Sequence, residues 1–438
     1  MNVEEQKMKV EEQKMNVEEQ KMNVEEHKIN QKQHTIILKL AIITQKLRKY
    51  FLLNYLCATK SAKMNLSKYV FLTVFIAFVS CKKTVETTTT KVENSIEFAS
   101  GLEIHNYDNF VVMKVTNPWP NATKTFTYVC GKSNKNLPDS LAKYTFIQTP
   151  IKNLVATSTT HISSIVALNE TDKLVGFPNL DYISSADVRQ KIDAGKVKEL
   201  SDKHSLNFEK TVDLQPQLIV GLSMDSETAK FNQFEKAGIP VLYNADWVET
   251  SPLGKAEWVK FFGVLFDQQQ KANEYFNNIV TEYNNAKKLV SKVNNRPTVL
   301  SGAIFQDVWY VPQGESWMAA FIKDAGGNYL WSDTKGTGSL SLSFEAVFEK
   351  AIYGDVWIGP GEFTTFDQMI AANKHYGKFA AFQNKKIYSY SIKKGPTGGV
   401  IFYEDAPNRP DLVLKDLISI LHPNVLPNYK PAFIEVLK

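Results

Sequence analysis

Apolar residues recur at helical spacing between Ser251 and Val293, and this stretch divides the rest of the chain into two parts. Ser251 followed by Pro252 is typical of a helix start, because serine caps the first amides and proline fits the first turn. Asp267 with Gln270 predicts a second cap, so the stretch is one helix or two helices end to end. From Asp267 to Val293 the predicted helix is about 40 Å long at the usual rise per residue. We predict a strut between two lobes; a long surface helix within one domain is the alternative.

Strand and helix patterns alternate on both sides of this helix, as they do in α/β proteins. Uninterrupted apolar runs predict buried parallel strands at 154–157 and 218–221 before the helix and at 356–359 after it. Residues 212–221 and 348–359 resemble each other, since both run from a helix end through a turn to a strand that closes on glycine. These patterns predict two lobes of like topology, 151–252 and 296–438, joined by a connecting helix at 253–295.

The N-terminal region differs from the rest of the chain. Residues 1–28 are four near-copies of one heptad, but methionine and valine stand two apart, which is not the spacing of a coiled-coil seam. From Met64 a basic residue precedes an uncharged apolar run that ends in Phe78-Val79-Ser80-Cys81, which resembles a bacterial lipobox. We expect 1–63 to be a leader that is not native, 64–81 to be a lipoprotein signal peptide and Cys81 to carry the lipid. A plain signal peptide with a chance cysteine is the alternative.

Two further segments lie between the signal peptide and the first lobe. Residues 82–95 are rich in threonine and predict a polar tether. Between 96 and 150 two strand patterns, 110–113 and 125–129, flank a turn that contains Pro118 and Pro120. We therefore predict a β-hairpin extension over 96–150.

The formal charge of +5 belongs to the N-terminal region. Residues 1–81 carry 13 basic and 8 acidic side chains, and the remainder carries 38 of each. The part expected to fold is therefore neutral and gives no electrostatic reason to expect a nucleic acid as partner.

The sequence has few residues with catalytic or metal-binding spacing. It contains no P-loop, no nucleotide-binding glycine pattern after a strand, no nucleophile elbow and no paired cysteine or histidine metal motif. The three cysteines, Cys57, Cys81 and Cys130, are too few and too scattered for a disulfide framework or a zinc site. These absences disfavour an enzyme, a resident cofactor and a site for a bare metal ion.

A cleft remains as the candidate functional site, because ligands of α/β lobes lie beyond the carboxyl ends of the parallel strands. The loops expected there carry many aromatic and few charged side chains, which suits a flat or macrocyclic ligand held by stacking and shape. His161 is either an axial metal ligand or simply a residue at a helix start. The candidate ligand-binding residues are His161, Phe177, Asn179, Tyr182, Met224, Trp247, Phe305, Trp309, Tyr310, Trp317, Phe363 and Tyr390.

Several runs together resemble the iron-siderophore and vitamin B12 class of substrate-binding proteins of ABC importers, over about 153–423. They are NLVATS at 153–158, ETDKLVG at 170–176, DLQPQLIV at 213–220, GIPV at 238–241 and RPD at 409–411. The resemblance implies two Rossmann-like lobes joined by a single long rigid α-helix, the class III periplasmic-binding-protein fold. The 96–150 region is additional to it.

The resemblance also implies a function and partners. A metal chelate, such as a ferric siderophore or a corrinoid, would be captured in the cleft and delivered to an ABC permease dimer with its ATPase subunits. Haem is an alternative ligand, and an enzyme or electron carrier on paired lobes is the rival class. One exposed glutamate on each lobe would dock on the permease: Glu227, next to Ser226, and Glu345, two residues after Ser343. Both glutamates also suit a first helical turn, so local capping is the alternative role.

Overall fold

A computed structural model of the chain describes residues 93–120, 122–202, 205–222 and 228–438. These residues belong to one compact unit that spans Thr89–Lys438. The predicted leader, signal peptide and most of the tether lie outside the described residues, as do the lipidation candidate Cys81, the ligand candidate Met224 and the docking candidate Glu227. No helix in the described ranges is both long and apolar enough to span a bilayer.

The extension before the first lobe is a four-stranded sheet in the order β1-β2-β3-β4. The strands β2 and β3 pair antiparallel, which confirms the two predicted strands. The prediction of a single hairpin was incomplete, because β1 pairs with β2 and β4 lies parallel to β3 on its other side. The strands are β1 Leu102–Asn106, β2 Phe110–Thr116, β3 Thr125–Gly131 and β4 Thr145–Gln148.

The first lobe is a parallel sheet in the order β11-β10-β5-β6-β7, with helices between its strands. Ser158, Ser185 and Asn207 each cap a helix with a side-chain oxygen, so polar residues placed after strands start the helices. The strands are β5 Leu154–Ala156, β6 Leu174–Phe177, β7 Lys198–Glu199, β10 Ile219–Leu222 and β11 Val241–Asn244, with the pair β8 Ser201–Asp202 and β9 Ser205–Leu206 beside them. The helices are α1 Thr159–Ala167, α2 Ala186–Asp193, α3 Phe208–Asp213 and α4 Thr228–Lys236.

Three helices connect the lobes: α5 Pro252–Glu257, α6 Val259–Leu265 and α7 Gln269–Leu289. Ser251 caps α5 and Pro252 occupies its first turn, as predicted. The second predicted cap was wrong: Asp267 has a φ of +58°, and no side chain caps the start of α7. The long helix therefore has 21 residues and is about 32 Å long, shorter than predicted.

The second lobe is also an α/β unit, with a sheet in the order β15-β12-β17-β18-β19, but its strand order differs from that of the first lobe and β19 runs antiparallel to β18. The prediction of two lobes of like topology was therefore wrong in detail. A separate antiparallel sheet, β13-β14-β16, lies beside it, and its strands β13 and β16 were not predicted from the sequence. The strands are β12 Thr298–Ser301, β13 Ala303–Phe305, β14 Val308–Pro312, β15 Asn328–Tyr329, β16 Ser339–Leu342, β17 Val356–Ile358, β18 Ile387–Ser389 and β19 Glu435–Val436. The helices are α8 Trp317–Asp324, α9 Phe344–Ala351, α10 Phe366–Ala372, α11 Ala380–Gln383, α12 Ile401–Asp405 and α13 Pro410–Leu421.

Two buried carboxylates attach the segment before β1 to the connecting helices. Glu257 accepts the backbone N–H groups of residues 97–99 at 2.6–3.2 Å. Glu249 accepts those of Ser100 and Gly101 at 3.0 and 2.8 Å, and also the indole N–H of Trp258 at 3.1 Å. Charge-assisted bonds of this kind contribute about 1.5–3 kcal/mol each, so they offset the burial of the two carboxylates. The extension is thus fixed directly to the helices that join the lobes.

Gly302 lies at the end of β12, and its conformation allows a test of whether this turn of the second lobe requires glycine. Its φ is +104°, and a Cβ there would lie 2.0 Å from the carbonyl oxygen of Tyr310. Gly238 has a comparable φ of +85° but open space around it, so it is a matched control. We expect Gly302→Ala to lower the melting temperature clearly more than Gly238→Ala, which carries only the backbone cost of about 1–2 kcal/mol. Equal losses of melting temperature in the two variants would contradict this account of the β12 turn.

Candidate functional site

A pocket of about 460 Å³ lies at the carboxyl ends of the first-lobe strands. It lies where the βα loops after β5 and β6 meet the start of α1, as expected for an α/β lobe. Asn179 accepts the N–H of Asp181 at 3.2 Å and so shapes the loop that presents Tyr182, which is 60% exposed. The lining residues are Thr157, Ser158, Thr159, Phe177, Pro178, Asn179, Tyr182 and Ser201.

A larger pocket of about 670 Å³ lies in the second lobe, and its wall is aromatic. It contains five of the predicted ligand residues, Phe305, Tyr310, Trp317, Phe363 and Tyr390. Phe305 and Tyr310 come from β13 and β14 of the small antiparallel sheet and are 65% and 40% exposed.

The sequence analysis missed two aromatic residues of this pocket, Phe402 and Tyr403 on α12. Tyr390 stacks on Phe402 at 4.5 Å between ring centroids and meets the Tyr403 ring edge-on at 5.8 Å. Burial raises the pKa of both tyrosines, so both phenols stay protonated at neutral pH. The five-residue helix α12 is too short to give a periodic pattern, so only the adjacent pair of aromatic residues could have marked it.

Trp309 lies in the core rather than at the pocket, which corrects its prediction as a ligand residue. Successive residues of a strand point to opposite faces, so Trp309 is fully buried where Tyr310 is exposed. Its ring packs between those of Trp357 and Phe379, at 5.3 and 5.7 Å between centroids. Alternation along β14 could have assigned the two side chains to different faces.

His161 also lies in the core, which corrects the prediction that it contacts a ligand. It is fully buried on α1, and its ring packs near that of Phe262 on α6, at 5.7 Å between centroids. Burial lowers its pKa to about 4, so the ring is neutral at physiological pH. Neither ring nitrogen has a hydrogen-bond partner in the described part of the chain. The structure therefore favours the reading as a helix-start residue over that as an axial metal ligand.

Trp247 lies in the turn after β11 and, like Trp309, lines neither of the two pockets. Its carbonyl accepts a hydrogen bond from Lys255 at 2.8 Å, and the carbonyl of Asp246 accepts a second at 3.0 Å. The Lys255 ammonium also lies 5.2 Å from the centre of the Trp317 ring. Burial lowers the pKa of Lys255 to about 8. This lysine joins the β11 turn of the first lobe to an aromatic wall residue of the second.

The two pockets border the same junction between the lobes. Tyr182 of the first-lobe pocket is so close to Gly399 that a Cβ there would lie 2.5 Å from the tyrosine carbonyl oxygen. Thr397 donates to the carbonyl of Asp181 at 2.8 Å. Both walls present aromatic and hydroxyl groups with little charge. No group of three or more metal-ligating side chains occurs within the described ranges. Such a cleft can hold a bulky, largely apolar molecule by stacking and hydrogen bonding.

Comparisons with known proteins agree with this architecture. The family model of periplasmic binding proteins matches residues 154–392. The uncharacterized lipoprotein MJ0878 of Methanocaldococcus jannaschii is 27% identical over 299 residues, which cover 66% of this chain and 69% of that protein.

Two solved structures share the fold. A periplasmic binding protein from Veillonella parvula has a TM-score of 0.52 and 16% identity, and covers 72% of this chain and 98% of its own. A periplasmic heme binding protein from Pseudomonas aeruginosa has a TM-score of 0.51 and 16% identity, and covers 66% of this chain and 98% of its own. The chain has the two-lobed class III architecture of such proteins and belongs to the periplasmic binding protein family, whose members bind solutes and are not enzymes.

Proposed function

We propose that this protein captures a bulky metal chelate, a ferric siderophore or a corrinoid, in the cleft between its lobes and delivers it to an ABC permease dimer driven by ATPase subunits. The observation that carries the proposal is the aromatic wall of the second-lobe pocket, with Phe305 and Tyr310 exposed to solvent. Exposed aromatic faces favour a large delocalised ligand, because stacking and desolvation contribute where charge does not. The metal would arrive inside the ligand, so the cleft needs no metal-binding side chains.

Haem is the second candidate ligand. A planar macrocycle suits the stacked pair of Tyr390 and Phe402, and the structural relative from Pseudomonas aeruginosa is described as a heme binding protein. The two candidate ligands require pockets of different shape, because a siderophore presents a compact surface and haem presents a flat one.

Titration of tryptophan fluorescence tests the proposed ligand class, because Trp317 lies in the pocket wall. Cobalamin, a ferric siderophore and haemin are the probes, and at least one is expected to bind with a Kd below about 10 μM, or about −7 kcal/mol. Tyr310→Ala should weaken that binding by about two- to tenfold, as the loss of an aromatic contact of about 0.5–1.5 kcal/mol implies. Tyr353→Ala is the control, since Tyr353 is exposed and lies outside both pockets. The proposal fails if no probe binds in this range.

Docking on the permease is proposed to use Glu345 and Glu227. Glu345 is exposed in the first turn of α9, which Ser343 caps. Carboxylates at such an interface can pair with arginine residues and orient the partner. We expect Glu345→Ala to reduce ligand uptake by cells while leaving ligand affinity unchanged, and the double variant with Glu227→Ala to reduce it further. Glu349→Ala is the matched control, because this glutamate is exposed on the same helix. Normal uptake by the double variant would refute the assignment.

Membrane attachment is proposed to depend on lipidation of Cys81, which the similarity to an archaeal lipoprotein supports. Cys81→Ala should stay unlipidated and partition into the aqueous phase on detergent extraction, because the lipid contributes the apolar surface that holds the protein in a membrane. Deletion of residues 1–63 is the companion variant and should leave export intact. A Cys81→Ala protein that remains in the detergent phase would show that the lipobox is misassigned.

A further inference from the structure

A second connection joins the lobes at a distance in sequence from the three connecting helices. It is formed by residues 395–408, which we term the interlobe segment. The segment begins with a tight turn, in which the N–H of Gly395 donates to the carbonyl of Gly399 at 2.7 Å. From this turn, Thr397 donates to the carbonyl of Asp181, and Ser184 donates to the carbonyl of Gly399 at 3.1 Å. The helix α12 follows and packs against α1 of the first lobe.

The interlobe segment ends on a second set of bonds to the first lobe. Asn408 accepts a hydrogen bond from the Ser164 hydroxyl at 3.1 Å and donates one to the carbonyl of Thr160 at 3.2 Å. The segment is therefore bonded to the first lobe at its start and at its end, although its chain belongs to the second lobe.

Glu404 makes the central contact of this segment. Its side chain is 1% exposed, and its two carboxylate oxygens accept the N–H groups of Ser184 and Ser185, at 2.5 and 2.9 Å. Ser185 is the N-cap of α2, so these N–H groups lie just before that helix, where backbone donors have no partner within it. Without Glu404 these two part-buried N–H donors would lose their partners.

Each end of this contact adjoins a tyrosine of a pocket. Tyr182 lies two residues before Ser184 and lines the first-lobe pocket, whereas Tyr403 lies next to Glu404 and lines the second-lobe pocket. Both side chains are more than half exposed. The contact made by the Glu404 carboxylate therefore lies between Tyr182 and Tyr403, at the junction of the lobes.

We propose that Glu404 is a positioning residue of the cleft, whose bonds to Ser184 and Ser185 hold the interlobe segment on the first lobe and so set the spacing between Tyr182 and Tyr403. The effect on ligands rests on the function proposed above, but the effect on the junction does not. Release of these bonds widens the cleft at this edge while the connecting helices stay in place.

The charge of Glu404 gives this junction a dependence on pH. Burial, with a contribution from the neighbouring Asp405 on α12, raises the pKa of Glu404 to about 7, against the lowering effect of the two N–H donors. Asp405 itself faces Ser163 of α1 and Arg409, both of which lower its pKa, whereas burial raises it. When the segment separates from the first lobe, Glu404 becomes hydrated and its pKa falls towards the usual range. The separated state therefore binds its proton less tightly, so a rise of pH through about 7 favours separation.

Hydrogen exchange of the backbone amides at 181–185 tests the proposal on the whole protein without any ligand. Glu404→Ala removes both acceptors, and we expect exchange of these amides to become at least about tenfold faster. In the native protein, the protection of these amides against exchange, corrected for the intrinsic exchange rate at each pH, should fall between about pH 6 and about pH 8. Glu404→Gln retains one acceptor and cannot titrate, so its protection should be lower than native at about pH 6 and should not change with pH.

Glu257→Gln is the matched control, because Glu257 is also a buried carboxylate that accepts backbone N–H groups, at residues 97–99. It should loosen that segment and leave 181–185 unchanged. Unchanged exchange at 181–185 in both Glu404 variants would overturn the proposal whether or not any chelate binds.

Ligand kinetics add the functional readout. If a chelate binds in the fluorescence titration, its dissociation from Glu404→Ala should be faster by about tenfold, with a smaller change in association. Faster exchange combined with unchanged dissociation would overturn the positioning role. A failure of all chelates to bind the native protein would instead count against the proposed function, and hydrogen exchange would still decide whether Glu404 holds the junction.

Discussion

Buried carboxylates that accept backbone N–H groups hold together the parts of this chain that no sheet joins. Glu249 and Glu257 bind residues 97–101, Glu404 binds residues 184 and 185, and Asp416 binds residues 432–434. All four are at most 4% exposed. A buried carboxylate is costly unless its oxygens are well bonded, and these oxygens are bonded mainly to amides that lack other partners. Loss of any one of them therefore leaves several groups unsatisfied at once, which makes each junction stronger than a surface ion pair.

This arrangement changes how the two lobes can move. The connecting helices α5 and α6 are buried almost throughout, and α13 packs along α7, with Lys415 bonded to Glu282 at 2.6 Å. A hinge in these helices would therefore break apolar packing over a long interface. The interlobe segment is held by the packing of α12 on α1 and by the hydrogen bonds of Glu404 and Asn408. On the role proposed for Glu404, loss of its bonds frees this edge of the cleft while the connecting helices stay packed.

The sequence predicted what local chemistry determines. Ser251 caps a helix where its position indicated, and the apolar runs at 154–157, 218–221 and 356–359 form the strands Leu154–Ala156, Ile219–Leu222 and Val356–Ile358. The predictions from the sequence were wrong or incomplete where the structure depends on more than the local sequence. The φ of +58° at Asp267 ends one helix before the next begins, although Asp267 and Gln270 together indicated a cap. The Glu404 contacts join residues about 220 positions apart, and no periodicity marks such a pair.

The sequence analysis named most of the aromatic residues of the site, but it did not establish which of their side chains face the cleft. Alternation along β14 separates Trp309 from Tyr310, and burial of α1 against α6 removes His161 from the cleft. The aromatic wall that remains in the second lobe is close to neutral, because phenols are protonated at neutral pH and the pKa values of Tyr390 and Tyr403 are raised further. A neutral wall discriminates by shape and by the loss of water from flat surfaces, whereas charge on a ligand would find little compensation there. On the function proposed above, exposed charges such as Glu345 orient the partner, and the neutral cleft selects the ligand.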